Sequence, residues 1–110
     1  DGYYEWKREE KNKVPYYFTK EDDDIMFFAG IHQNNQFCII TREATEKISN
    51  IHHREPMIIN QSQINNYLNL KKEAMSILNS IKPPNLKFYE ISKDVNNPLN
   101  NDLTLIKPVS

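Results

Sequence analysis

Short apolar and aromatic runs alternate with polar stretches along the first 41 residues of this chain. Runs of about 3–10 residues suit β-strands, whereas helices need longer periodic segments. The polar stretches at 7–14, 21–24 and 32–36 predict connections between neighbouring strands. Strands joined by such turns predict an antiparallel meander. Its strands would be residues 3–6, 15–19, 25–31 and 37–41.

A helical period begins after residue 41. Ala44, Ile48 and Ile51 recur at helical spacing and predict a short helix over residues 43–50. Two further amphipathic segments predict helices, one of them with Ser62 as a candidate N-cap. The chain therefore belongs to the α+β class, mainly antiparallel β with flanking helices, and 110 residues allow one domain at most. The remaining predicted elements are an extended segment at 56–59, helices at 62–70 and 72–81, and a strand at 86–92.

Charge and cysteine content narrow the functional classes. The 14 basic and 15 acidic residues give a net charge of -1, so nucleic-acid binding would depend on a local patch. The single cysteine excludes an internal disulfide framework and a cysteine-rich zinc site, and it fits a reducing compartment. No apolar segment approaches 18 residues, which argues against a membrane span.

Two short motifs carry residue types that move protons and hold nucleic acid. Glu5 precedes Trp6 at the end of an aromatic run, and His52 precedes Arg54 in the segment Ile-His-His-Arg-Glu-Pro at 51–56. A carboxylate and an imidazole have separable pKa values and can serve together as base and acid. Arginine binds phosphate and an indole stacks on a base. The combination predicts chemistry on a nucleic acid.

The order of these motifs resembles the SRAP family, the SOS response-associated peptidases. Six segments match in order. They are Asp-Gly-Tyr-Tyr-Glu-Trp at 1–6, Pro-Tyr-Tyr-Phe at 15–18, Phe-Ala-Gly-Ile at 28–31, the apolar strand closing on Thr41, Ile-His-x-Arg-x-Pro at 51–56, and Ile-Ser-x-x-Val-Asn at 91–96.

This resemblance implies a partly closed SRAP-type barrel and an abasic-site sensor that crosslinks covalently to single-stranded DNA, with autopeptidase activity. In the family an N-terminal cysteine is the nucleophile, and no such residue stands in this sequence. We therefore expect residues 1–110 to be the C-terminal part of a single SRAP-like domain. Its partners would be abasic single-stranded DNA and an N-terminal half, in cis or trans. It would reside in the cytoplasm with the nucleoid, or in a eukaryotic nucleus.

The resemblance also implies residue roles. Glu5 would shuttle a proton during condensation and leader-peptide cleavage, and His52 would protonate the sugar oxygen to favour ring opening. Trp6, Arg54 and Thr41 would contact the DNA. Each has a structural alternative: a surface carboxylate for Glu5, a satisfied core imidazole for His52 and a core aromatic for Trp6.

Several residues are assigned no catalytic role. Cys38 lies within an apolar strand and is predicted to be a buried small hydrophobe. Adjacent His52 and His53 point in different directions, which argues against a metal site, and no cofactor is expected. Glu55 is expected to weaken phosphate contact at its neighbour Arg54. The basic residues of the first polar stretch, interrupted by glutamates, predict a solvated hairpin face; they are Lys7, Arg8, Lys11 and Lys13.

Two competing hypotheses remain. One is a non-catalytic single-stranded DNA-binding module that keeps Trp6, His52 and Arg54. The other is an unrelated structural domain whose aromatic strands serve only as core.

Overall fold

A computed structural model describes residues 1–69 and 73–110. Within them lie nine strands, three short α-helices and three 3-10 turns. The strands are β1 (Gly2–Glu9), β2 (Asn12–Lys20), β3 (Phe27–Phe28), β4 (Gly30–Gln33), β5 (Gln36–Ile39), β6 (Thr41–Glu43), β7 (Arg54–Pro56), β8 (Ile58–Ile59) and β9 (Leu86–Glu90). The helices are α1 (Glu46–Ser49), α2 (Ile64–Leu68) and α3 (Ala74–Ser80), and the 3-10 turns are Gln61–Gln63, Lys93–Asn96 and Leu103–Ile106.

The main sheet has the strand order β1-β2-β9 and is antiparallel throughout. Its register aligns Tyr3, Phe18 and Phe88 across the three strands. The ring centroids of Tyr3 and Phe18, and those of Phe18 and Phe88, are 4.9 Å apart in stacked geometry. Because alternate residues of a strand face opposite sides, this aromatic row gives the sheet one apolar face.

Two apolar clusters form the core. The first packs the aromatic row against Ile48 and Ile51 at the α1 end, together with Ile58 and Leu86. Ile48 and Ile51 are both buried, but the helix is shorter than predicted, because α1 contains Ile48 and ends before Ile51. The second cluster joins the short sheets to α3 and consists of Ala29, Met57, Ile59, Leu78 and Ile81.

Gly2 begins β1 where only glycine fits. A Cβ at this position would clash with the Tyr17 ring and would lie 2.6 Å from the carbonyl oxygen of Phe18. This close approach seats the start of β1 against β2, and so fixes the register that places Glu5 opposite Tyr16.

The predicted meander is wrong. Besides the main sheet, the described residues form three two-stranded sheets, β3-β8, β4-β5 and β6-β7. The polar stretch at 7–14 is not a connection, because β1 and β2 run through it and only Glu10 and Lys11 form the turn. The apolar run at 25–31 is divided by Ala29, whose amide donates to Met57 while its carbonyl accepts from Ile40. Short strands thus exchange partners at Ala29 rather than continue one ribbon.

The hairpin of β4 and β5 projects from the core. Its turn residues Asn34 and Asn35 have φ of 52° and 62°, the left-handed geometry that asparagine tolerates in tight hairpins. Phe37 and Cys38 are exposed, so the predictions of a buried strand and a buried cysteine are wrong. Their apolar character led to the prediction. A hydrogen bond from the Tyr67 hydroxyl of α2 to the Gly30 carbonyl, at 2.7 Å, ties β4 to the core but leaves the side chains of β5 exposed.

The second and third helices differ in detail from their predictions. Ser62 does not act as an N-cap, because it lies inside a 3-10 turn that precedes α2. The predicted helix ends at 70 and 72 lie outside the described residues. The strand predicted at 86–92 is β9, which ends at Glu90. The extended segment predicted at 56–59 covers the last residue of β7, Met57 between the strands, and β8.

The architecture confirms the α+β class with mostly antiparallel pairing. Across residues 1–69 and 73–110 there is no closed barrel. In that same part of the chain, no helix is both long enough and apolar enough to cross a lipid bilayer.

Candidate functional site

Glu5 lies midway along β1, on the same face of the main sheet as the aromatic row. The backbone N–H of Trp6 donates to its Oε1 at 3.1 Å. In the described sheet β1 is an edge strand, with β2 on one side and no strand on the other. The carboxylate is therefore held at the border between the core and an open edge.

His52 is brought to this edge by the end of α1. Its backbone N–H donates to the Ile48 carbonyl at 3.1 Å, and the burial of Ile51 fixes the chain beside it. Nδ1 of the ring lies 3.9 Å from Glu5 Oε2. The two side chains keep 34% and 25% of their exposure, so a ligand could reach both.

The ring of His52 also touches the backbone of Arg54. The Arg54 N–H donates to Nδ1 at 3.2 Å, and the Arg54 carbonyl lies 3.1 Å from the same nitrogen. A neutral ring can therefore accept through Nδ1 and carry its proton on Nε2, while a protonated ring can donate through Nδ1. The backbone of Arg54 thus offers Nδ1 both a donor and an acceptor. His53 is exposed and stacks on His52, with ring centroids 4.6 Å apart, so the prediction that the two side chains point in different directions is wrong.

Trp6 lies on the other face of β1 from Glu5. Its indole Nε1–H donates to Asn96 Oδ1 at 2.7 Å. This bond anchors the 3-10 turn Lys93–Asn96 beside the strand and sets the orientation of the indole. The ring is only partly buried, so one predicted alternative, a core aromatic, does not describe it.

Arg54 and Thr41 pair with each other across β6 and β7. Nη2 of Arg54 donates to the Thr41 carbonyl at 2.9 Å and to its hydroxyl at 3.1 Å, and Nε donates to that hydroxyl at 3.2 Å. Both side chains are exposed. The pairing leaves Nη1 without a hydrogen-bond partner among the described residues, so the guanidinium keeps donors for an anion.

Glu55 does not oppose Arg54, contrary to the expectation from their adjacency. Its side chain points to the opposite face of β7 and is buried. Its Oε1 lies 3.6 Å from Arg42 Nε, and its Oε2 accepts from the backbone and hydroxyl of Thr45 at 3.4 Å. Glu55 therefore fixes the start of α1 rather than weakening anion binding.

Tyr3 lies in the row beneath the site. Burial raises the pKa of its phenol, and the carboxylates of Glu55 and Glu5 raise it further. The phenol therefore stays protonated near neutral pH.

A cavity of about 740 Å³ collects most of these residues. Glu5, Trp6 and His52 line it together, whereas Arg54 and Thr41 lie on the neighbouring strands and do not. Cys38 is exposed on β5 and does not line it either. The other lining residues are Lys7, Arg8, Lys13, Ser49, Asn50, Ile51, His53 and Asn96.

Sequence reasoning missed Asn96 as the indole's partner and dismissed Arg8 and Lys13. The position of the β1–β2 turn at residues 10 and 11 would have revealed Arg8 and Lys13, because it places both residues on strands beside the cavity and not in a loop. Within residues 1–69 and 73–110, no group of three or more histidine, cysteine or acidic side chains is arranged to hold a metal ion.

The fold and site define an α+β domain with a carboxylate–imidazole pair at an open sheet edge. The family model described as SOS response associated peptidase (SRAP) matches residues 1–98. The chain belongs to the SRAP family.

The chain is also similar to several longer proteins. The chain is 32% identical to abasic site processing protein YoaM of Bacillus subtilis over 96% of its length and 53% of the relative's. It is 29% identical to abasic site processing protein YedK of Escherichia coli, with 99% and 55% covered. A crystal structure of a protein from Bacteroides thetaiotaomicron superposes with a TM-score of 0.81 at 28% identity, covering 99% of this chain and 54% of that one. The chain thus spans about half the length of these relatives.

Proposed function

We propose that the chain forms the proton-transfer and DNA-holding side of a site that crosslinks to abasic sites in single-stranded DNA. The observation that carries this proposal is the 3.9 Å approach of His52 Nδ1 to Glu5 Oε2 in one cavity with Trp6. The similar proteins YoaM and YedK are named abasic site processing proteins, which supports the choice of substrate.

The proposed reaction begins with the ring-opened sugar, whose aldehyde is attacked by an N-terminal amine. Loss of water gives an imine, and a cysteine thiol adds to its carbon to close a thiazolidine. His52 protonates the sugar oxygen to favour ring opening, and Glu5 accepts and returns the proton of the condensing amine. The amine and thiol belong to an N-terminal cysteine outside Asp1–Ser110. It would be carried by an N-terminal half of the domain in the same polypeptide or a second one.

The proposed DNA contacts come from Trp6 on β1 and from the Arg54–Thr41 pair on β7 and β6. Trp6 presents an aromatic face to a base, a contact worth about 1–3 kcal/mol in single-strand binders. Arg54 uses its free Nη1 for a phosphate, and the exposed residue Thr41 holds the guanidinium through its carbonyl and hydroxyl. Positively charged and aromatic groups together suit an unpaired strand.

Three further parts of the proposal depend on the family. The same Glu5 carboxylate would assist autoproteolysis of a leader peptide. The described sheets would form one side of a partly closed barrel completed by the N-terminal half. Since the substrate is DNA, the protein would work at the nucleoid in the cytoplasm or in a nucleus.

A non-catalytic single-stranded DNA-binding module is the second candidate. The exposed Cys38 lies away from the cavity lining, so the described residues supply no thiol there. Trp6 and Arg54 would still suffice for non-covalent binding.

The test mixes the full-length protein with a single-stranded oligonucleotide carrying one abasic site. A band that stays shifted on a denaturing gel, is absent with intact DNA and is weakened by Glu5→Gln supports the crosslinking proposal. A shift seen only on a native gel leaves the binding module, and no shift on either gel contradicts both.

A further inference from the structure

Arg8 and Lys13 face each other across the β1–β2 hairpin. They are directly paired in the register, and both are exposed. Directly opposite residues have Cβ atoms about 4.5–5.5 Å apart, and like charges in that arrangement destabilise an antiparallel pair. We call these two residues the cation pair.

No anion of the described residues compensates the cation pair. Lys7, the neighbouring cation, has its own partner in Glu9 at 3.4 Å. Glu5 is engaged by His52 and the Trp6 backbone. The described part of the chain contains no ion pair to either member of the cation pair.

The cation pair lies beside the candidate site. Both members line the cavity that contains Glu5 and His52. Arg8 follows Trp6 by two residues, so their side chains share one face of β1 about 7 Å apart along the strand. Cations that repel each other are thus placed one step beyond an aromatic surface, an arrangement typical of grooves that follow a nucleic-acid backbone.

We propose that the cation pair binds the backbone phosphate of single-stranded DNA next to the nucleotide that stacks on Trp6. This deepens and rests on the function proposed above, because it extends the DNA path along β1 away from the Glu5–His52 pair. The bound phosphate supplies the counter-charge that the fold lacks, and it needs no base-specific contact.

The experiment measures binding of a fluorescent, undamaged oligothymidylate of about 15 nucleotides to the full-length protein at several salt concentrations. The test variant is Arg8→Gln/Lys13→Gln. The control is Lys11→Gln/Lys82→Gln, which changes net charge equally at exposed positions outside the cavity lining.

The test variant should reduce the slope of log Kd against log salt by about 0.7–1.4, the values for one and two phosphates. Kd at 0.1 M salt should rise about 5- to 25-fold. Relief of repulsion should also raise its Tm by about 1–5 °C at low salt, whereas the control should move neither quantity as far.

A slope equal to that of the control overturns the inference. So does a test variant that binds weakly because its Tm has fallen, since the pair would then serve the fold. The crosslinking assay separates this inference from the proposed function. If the protein crosslinks but the test variant shows no change in slope, only the phosphate-site inference is wrong. If the slope changes but the protein does not crosslink, the proposed chemistry is wrong and the phosphate site stands.

Discussion

At the scale of single residues, the site depends on one imidazole nitrogen with three neighbours. Nδ1 of His52 meets a backbone donor, a backbone acceptor and a carboxylate within 3.9 Å. The motif predicted that Glu5 and His52 would meet, because both residue types and their chemistry are visible in sequence. It could not predict the Arg54 backbone contacts, since these depend on how the chain turns between α1 and β7.

Tyr3 gives a pH-dependent prediction. The pKa of its phenol is raised in the folded protein, whereas the unfolded chain ionises near pH 10. Above pH 10 the unfolded state therefore binds fewer protons, and this residue makes stability fall as pH rises. Tyr3→Phe should remove up to about 1 kcal/mol of that fall between pH 9 and 11, after discounting for partial exposure.

Urea unfolding at the two pH values measures this effect. Tyr4→Phe is the matched control, because Tyr4 is exposed on the opposite face of β1. An equal alkaline loss of stability in Tyr3→Phe and the unmodified chain would show that the phenol is not sheltered.

At the scale of elements, the β1–β2 hairpin shows where sequence reasoning succeeds and fails. The aromatic runs identified both strands correctly. Their charged continuations were taken for a loop, because solvent-exposed strand ends lack the apolar alternation on which strand prediction relies. Cross-strand pairing, which makes Arg8 and Lys13 opposite neighbours, cannot be read from such a pattern.

The turn of this hairpin is strained at Glu10, whose φ is 51°. A non-glycine residue in this conformation destabilises the folded state by about 1–2 kcal/mol. Glycine avoids that strain, but its greater chain entropy in the unfolded state offsets about 0.5–1 kcal/mol of the gain. Glu10→Gly should therefore raise the free energy of unfolding by about 0.5–1 kcal/mol in urea titration.

Lys11→Gly provides the comparison within the same turn. Lys11 has no positive φ, so glycine there should destabilise instead. Destabilisation by Glu10→Gly would contradict the turn geometry.

At the scale of the whole molecule, the β4–β5 hairpin leaves apolar side chains uncovered on both of its faces. Phe37 is 80% exposed and Ile31 is 61% exposed. Sequence reasoning placed this run in the core because apolar composition does not say which elements cover a strand. Long-range partners such as β9 beside β2 were likewise beyond local pattern.

We expect Asp1–Ser110 expressed alone to self-associate through this hairpin, since clustered exposed apolar groups favour association. Phe37→Asp should shift it toward monomer in light scattering at micromolar concentration. Leu99→Asp is the control, because Leu99 is 89% exposed outside the hairpin and should change little. A monomeric unmodified polypeptide with a single cooperative melt would contradict this expectation.

The central claim is that Glu5 and His52 act as one acid–base unit on abasic DNA. The most direct measurement is the initial rate of crosslink formation at saturating abasic single-stranded DNA, for the full-length protein, Glu5→Gln, His52→Asn and the double variant. Glu9→Gln, at the far end of β1, is the control and should react normally.

Each single change should lower the rate about 100-fold or more, and the double variant should be no slower than about the slower single variant. Such non-additivity is expected of groups that work as a unit. Unchanged single variants, or losses that multiply in the double variant, would contradict the claim.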